Sequence, residues 1–130
     1  MKIFKQNLYI IFFIFITLGS WNAQAGAISD FVSGIANGVF KVGWPTATYT
    51  GYEIDDVTSH YAGYDIVVKF KGKSSFCMVE YCPLWFRLKI KVNKSFQVRD
   101  FVLLNYNSIL QKPFATTGAL AQAMRQSNGY

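Results

Sequence analysis

Three cations and a tryptophan at alternate positions of one segment give this sequence its clearest candidate binding surface. Between Leu84 and Val92, apolar residues alternate with Trp85, Arg87, Lys89 and Lys91, called the basic stripe from here on. A period of two places the stripe on one face of a strand, with successive members about 7 Å apart. Three neighbouring cations repel one another and gain free energy from an anionic partner.

The expected partner of the basic stripe is an anionic component of the cell envelope or an acidic protein, and nucleic acid is not expected. The alternative is that the charges only keep the strand solvated, which is a common protection for sheets. Pairing with acidic residues decides between these interpretations. If Tyr61–Gly63 is a hairpin turn, Asp55 falls opposite Lys69 and Glu53 opposite Lys71, which leaves the basic stripe without acidic partners on its own hairpin.

A loop with two cysteines, Gly72–Pro83, is the second candidate surface. Cys77 and Cys82 are the only cysteines, and in an exported chain their spacing predicts one disulfide that closes a short loop. The bridge would hold Met78 and Tyr81 at a hairpin tip suited to recognition, and the alternative is that both side chains extend the core. Two cysteines and one distant histidine are too few ligands for tetrahedral zinc, so no metal and no cofactor is expected.

Catalysis has one candidate, formed by a carboxylate and the only histidine. In the register just given, Asp56 lies in the inward row of its strand, where an unpaired carboxylate is costly. Together with His60 it would be the centre of a small hydrolase. A β-bulge at Asp55–Asp56, or another register, would instead turn Asp56 outward, and this interpretation is favoured. Because no Gly-x-Ser-x-Gly elbow, phosphate-binding glycine loop or His-x-x-x-His spacing occurs, we expect no catalytic residues.

The elements that position these residues follow from hydrophobic periodicity. Apolar residues recur at helical spacing from Ile28 to Phe40, and Gly34 and Gly38, one turn apart, suggest close packing of this helix. After Pro45 the period changes to two, and a short helix ends near Met124. The predicted strands are Thr48–Ser59, Tyr64–Lys71, Leu84–Val92 and Phe96–Leu104, the last with a β-bulge near Asp100.

These elements predict an α+β domain: an N-terminal helix, a four-stranded antiparallel β-meander and a short C-terminal helix. The helices would cover the apolar face of the sheet in a two-layer sandwich. The order resembles cystatin-like folds, but the Gln-x-Val-x-Gly inhibitory loop of cystatins is absent. The resemblance is one of architecture and implies no function.

The first residues predict export. Lys2 and Lys5 precede an apolar run from Leu8 to Leu18, and Ala23-Gln24-Ala25 supplies small residues for cleavage. The run is shorter than the ~20 residues of a membrane span, so an uncleaved anchor is the weaker interpretation. We expect residues 1–25 to be a signal peptide and residues 26–130 a single small domain, secreted or periplasmic, without a transmembrane segment.

The expected function is that of an exported, non-enzymatic binding module that uses the basic stripe or the cysteine loop. Two alternatives remain from other classes. One is a small hydrolase centred on Asp56 and His60. The other is a structural accessory subunit of an envelope assembly.

Overall fold

The computed structural model describes residues 25–74, 83–107 and 112–129. The chain divides into two compact units, Met1–Phe31 and Val32–Tyr130. All but the last residue of the predicted signal peptide, and the four loop residues Cys77, Met78, Tyr81 and Cys82, lie outside the described ranges. Within those ranges no helix combines the length and the apolar character needed to cross a membrane.

Four strands make one antiparallel sheet in which chain order and spatial order are the same. Helix α1 occupies residues 25–43, of which residues 32–43 belong to the second unit. The remaining elements are β1 (Ala47–His60), β2 (Gly63–Ser74), β3 (Pro83–Asn93), β4 (Val98–Asn107) and α2 (Ala119–Ser127). The predicted α+β meander with a helix at each end is confirmed.

Alternation in β2 and β3 produces the apolar face of the sheet. Over residues 64–74 and 84–92 every second residue is buried, while the residues between them are half-buried or exposed. The apolar side chains of the buried row are Tyr64, Ile66, Val68 and Phe70 in β2, and Leu84, Phe86, Leu88, Ile90 and Val92 in β3, and Gly72 and Ser74 continue the row in β2. We call this side the inner face and the opposite side the outer face.

Phe86 lies at the centre of an aromatic cluster on the inner face. Its ring centroid is 5.1 Å from Phe70 on the neighbouring strand and 5.8 Å from Phe40 of α1. Trp44 and Phe114 meet the same ring edge-on at 5.2 and 5.1 Å. Stacked and edge-on arrangements at these distances are favourable. Phe86 therefore joins the sheet to residues 32–43 of α1 and to the segment before α2.

A glycine in β2 lets α1 approach the sheet closely. Gly72 lies in the inner row, where an added Cβ would overlap the ring of Phe40 and stand 2.5 Å from the carbonyl oxygen of Thr48. The expected close packing at Gly34 and Gly38 is wrong, because both residues are exposed. Close packing at a glycine thus occurs at Gly72 of the sheet and at Gly43, the last residue of α1, where an added Cβ would lie 3.1 Å from the rings of Phe86 and Phe114.

The predicted bulge in the last strand is confirmed. Lys91 pairs with Asp100 and Val92 with Val98, so Arg99 is an extra residue in β4. This shift keeps both Val98 and Phe101 buried. At the same place, the side-chain amide of Asn128 accepts a hydrogen bond from the Val98 N–H at 2.8 Å and donates one to the Val98 carbonyl oxygen at 3.0 Å. The residue after α2 is thereby tied to the edge strand.

Candidate functional site on the outer face of the sheet

The basic stripe lies on the outer face of β3. Trp85, Arg87 and Lys89 are half-buried and Lys91 is exposed, each between two buried inner-face residues. The alternation of this strand therefore positions all four side chains as the sequence predicts. Their neighbours on β1, β2 and β4 determine whether the charges are available to a partner.

A β-bulge in β1 changes the expected pairing of charges. Glu53 lies opposite Lys69 and Asp56 opposite Val67, with the register shift between Ile54 and Asp56. The predicted positions of Asp55 opposite Lys69 and Glu53 opposite Lys71 are therefore wrong. One residue of the difference comes from the turn, because Gly63 already pairs with His60, and the other from the bulge, which inserts Asp55. Asp56 faces outward and is exposed, as the bulge alternative predicts.

Asp55, the extra residue of this bulge, pairs with Arg87 across the intervening strand β2. Nε of Arg87 donates to Oδ2 of Asp55 at 2.6 Å, and the two side chains are 29% and 31% exposed. Nη1 of Arg87 also donates to Oδ1 of Asn105 at 3.5 Å. The guanidinium carbon lies 4.7 Å from the ring centroid of Trp85, within cation–π range. Among the described residues, Nη2 has no hydrogen-bond acceptor.

A second cation, Lys69, contacts the same indole ring. Its Nζ lies 5.0 Å from the Trp85 centroid, and no described carboxylate forms an ion pair with it. Glu53, its neighbour in register, instead accepts a hydrogen bond from Nζ of Lys71 at 2.6 Å. That bond and the charge of Lys71 hold the pKa of the Glu53 carboxyl below its ordinary value, so Glu53 is ionised at neutral pH.

Lys89 and Lys91 have opposite surroundings. Lys89 lies between Val67 and Val102 in register, and Lys91 lies between Asp65 and Asp100. The expectation that the stripe has no acidic neighbour on its own hairpin is therefore wrong for Lys91, because the bulge in β4 brings Asp100 opposite it. The surplus of positive charge shifts toward the end of the outer face that carries Trp85.

We call this end the tryptophan patch, and its members are Trp85, Lys69, Lys71, Lys73, Arg87 and Lys89. Glu53 and Asp55 pair with two of its cations. In the described ranges the other three, Lys69, Lys73 and Lys89, form no ion pair. The patch thus extends over β2 and β3 and keeps a net positive charge.

The residues of the hydrolase alternative are not brought together by a hydrogen bond. Nε2 of His60 lies 3.2 Å from Oδ1 of Asp65, and this carboxylate rather than Asp56 is its partner. A polar cleft is lined by Gln97, Val98, Arg99 and Asn128, and so contains neither His60 nor Asp56. Within the described part of the chain, no group of three or more histidine, cysteine, aspartate or glutamate side chains is placed to hold a metal ion.

Lys69 and Asp55 have other partners than those the sequence predicts, because Lys69 contacts Trp85 and Asp55 pairs with Arg87. The predicted register pairs Lys69 with Asp55 and gives Asp55 no contact with β3. The adjacent carboxylates Asp55 and Asp56 are the sequence signal from which this role of Asp55 could have been inferred. They indicate a bulge, but a bulge alone does not reveal which strand its side chain reaches.

No protein-family model matches this chain, and no curated protein or solved structure is significantly similar to it. Function must therefore be inferred from the outer face itself, where two cations are held against one indole ring.

Proposed function

We propose that this chain is an exported, non-enzymatic module that binds an anionic membrane surface of the cell envelope through the tryptophan patch. The observation that carries the proposal is the placement of Lys69 and Arg87 over Trp85, at 5.0 and 4.7 Å from its centroid. The two residues lie directly opposite each other in register. Like charges in this arrangement destabilise a sheet, and an anion bound between them would relieve that repulsion.

The indole supports this role because it holds the cations in place before a partner arrives. Its negative ring face attracts both side chains and limits their rotamers. Less conformational entropy is then lost on binding, which favours affinity. The ammonium group of Lys69 is available to a partner, since no described carboxylate pairs with it.

The apolar residues of the outer face favour a membrane over an acidic protein. Val67 and Val102 flank Lys89, and Val102 is 38% exposed. Tryptophan mixed with lysine and small apolar side chains is typical of surfaces that rest at the level of lipid headgroups. A sheet face presents these groups over an area rather than inside a cleft, which suits a lipid surface with many anionic groups.

Removing the three cations without ion-pair partners tests the proposal. We expect Lys69→Gln/Lys73→Gln/Lys89→Gln to weaken binding to vesicles of phosphatidylcholine mixed with phosphatidylglycerol. Each cation near an anionic surface contributes about 1 kcal/mol, so the loss should be on the order of 100-fold. The measurement is co-sedimentation of the protein from the exported fraction, at low and at high salt.

A matched control removes three positive charges from the other end of the sheet, in Lys91→Gln/Lys94→Gln/Arg99→Gln. Lys91 has carboxylates on both sides, so this variant should lose much less affinity than the first. Equal losses in the two variants would show attraction by net charge alone and contradict the patch. Unchanged binding of the first variant would contradict the proposed function as a whole.

A further inference from the structure

The ion pair between Asp55 and Arg87 has an arrangement that simple stabilisation of the sheet does not explain. We propose that Arg87 binds the phosphate of a membrane lipid at the position that Asp55 occupies, so that Asp55 is a competitor built into the fold. This inference rests on the proposed function and adds a regulation of that same surface. Docking on a membrane would then require the carboxylate to leave Nε of Arg87.

The first argument is the distance across the sheet over which Asp55 pairs with Arg87. It lies on β1 and Arg87 on β3, and neighbouring strands are about 4.8 Å apart, so the pair spans two strand spacings. Lys69 is the nearer cation in register, because it pairs with Glu53 on the same strand as Asp55. A pair that served only to neutralise charge would use this neighbour. The bulge instead directs Asp55 to the one arginine of the tryptophan patch.

The second argument is the incomplete use of the guanidinium group. A carboxylate and a phosphate bind arginine best with two parallel N–H donors. Asp55 is bonded to Nε, while Nη1 reaches only the amide oxygen of Asn105 at 3.5 Å. In the described ranges Nη2 donates to no acceptor. A lipid phosphodiester, whose two non-bridging oxygens can accept parallel N–H donors, would use Arg87 more fully than Asp55 does.

The third argument is that the pair is open to exchange. Both side chains are close to one-third exposed, and ion pairs of this kind contribute little net free energy because water screens them. Headgroup phosphates beside Lys69 are attracted by two cations at once. The competitor can therefore be displaced at a membrane and return to Arg87 in solution.

The test compares two variants that each remove one negative charge from β1. Asp55→Asn should strengthen binding to phosphatidylglycerol-containing vesicles about fivefold, the upper end for the loss of an exposed pair. Glu53→Gln removes the same charge but leaves Arg87 paired, and it breaks a more exposed pair, at 39% and 52%, so it should strengthen binding only about twofold or less. Because asparagine still offers Arg87 an oxygen, Asp55→Ser provides a second variant without that acceptor in reach.

The decisive comparison repeats both β1 substitutions in a chain that also carries Arg87→Gln. The gain from Asp55→Asn should vanish in the Arg87→Gln chain, whereas the smaller gain from Glu53→Gln should persist. Equal gains from the two single variants, weaker binding by both Asp55 variants, or a gain that survives Arg87→Gln would overturn the competitor and leave membrane binding in place. Failure of the native chain and all variants to bind vesicles would overturn the competitor together with the proposed function.

Discussion

Replacing Phe86 with alanine should lower the free energy of unfolding by about 3–5 kcal/mol. The ring is fully buried. It contacts four aromatic side chains, which are Phe70 of β2, Phe40 of α1, Trp44 directly after α1 and Phe114 before α2. Its removal would leave a cavity between three separate elements, and the surrounding structure can fill such a cavity only partly. Since small domains are stable by only about 5–15 kcal/mol, the loss would be a large part of the total.

Urea unfolding followed by circular dichroism measures this effect. Phe86→Leu keeps most of the apolar volume and should cost less, about 1–2 kcal/mol, so it provides a graded second point if the alanine variant does not fold. Tyr61→Ala is the control, because Tyr61 is 96% exposed and its removal should change stability by no more than about 0.5 kcal/mol. If Phe86→Ala had the same urea midpoint of unfolding as the native protein, this account of the core would be contradicted.

Adding one methyl group at Gly72 should destabilise the domain by about 3 kcal/mol, at the upper end for overpacking of a core. The new Cβ would overlap the ring of Phe40 and lie 2.5 Å from the carbonyl oxygen of Thr48. The ring can rotate away only into its aromatic neighbours, and the carbonyl belongs to the adjacent strand. Both α1 and β1 would have to move away from β2.

The same substitution at Gly34 is a matched control with the opposite sign. Gly34 lies within α1, and an added Cβ would meet no described heavy atom within 4 Å. Alanine is a better helix former than glycine by about 1 kcal/mol, so Gly34→Ala should raise the urea midpoint. If Gly72→Ala were as stable as the native chain, the close approach of Phe40 to the sheet would be wrong.

Strand alternation is the part of this fold that the sequence predicts best. In β2 and β3 the apolar and polar residues alternate except at Val67 and Trp85, and the residues expected on each face lie there. A period of two fixes which face a side chain occupies once the strand is recognised. The inner row and the outward position of the basic stripe therefore follow from periodicity alone.

Pairing between strands is harder to predict because it depends on bulges. The bulge at Asp55 shifts every partner of β1 on one side of it, and the bulge at Arg99 brings Asp100 opposite Lys91. Each inserts a residue without breaking the local alternation enough to mark its exact position. Ion pairs across the outer face depend on this register. The sequence therefore predicts the cations of the site and the pairing of Glu53 with Lys71, but not the pairing of Asp55 with Arg87.

The aromatic cluster and the role of Gly72 depend on contacts distant in sequence. The helical pattern from Ile28 to Phe40 identifies an apolar stripe, but not the point on the sheet that Phe40 meets. Glycine in the middle of a strand suggests a close approach by another part of the chain. Which part approaches is decided by tertiary packing, and here it is the ring of Phe40.

The fluorescence of Trp85 in the presence of vesicles tests the central claim most directly. If the tryptophan patch contacts an anionic membrane, phosphatidylglycerol-containing vesicles should shift the tryptophan emission of protein from the exported fraction, and phosphatidylcholine alone should not. The shift should decrease as salt is added, because charges separated by more than ~10 Å are screened at about 0.1 M. Trp85→Phe keeps a ring beside Lys69 and Arg87, so this variant should still bind but lose the emission shift. A full shift in Trp85→Phe, or no shift in the native protein, would contradict the placement of the membrane site at Trp85.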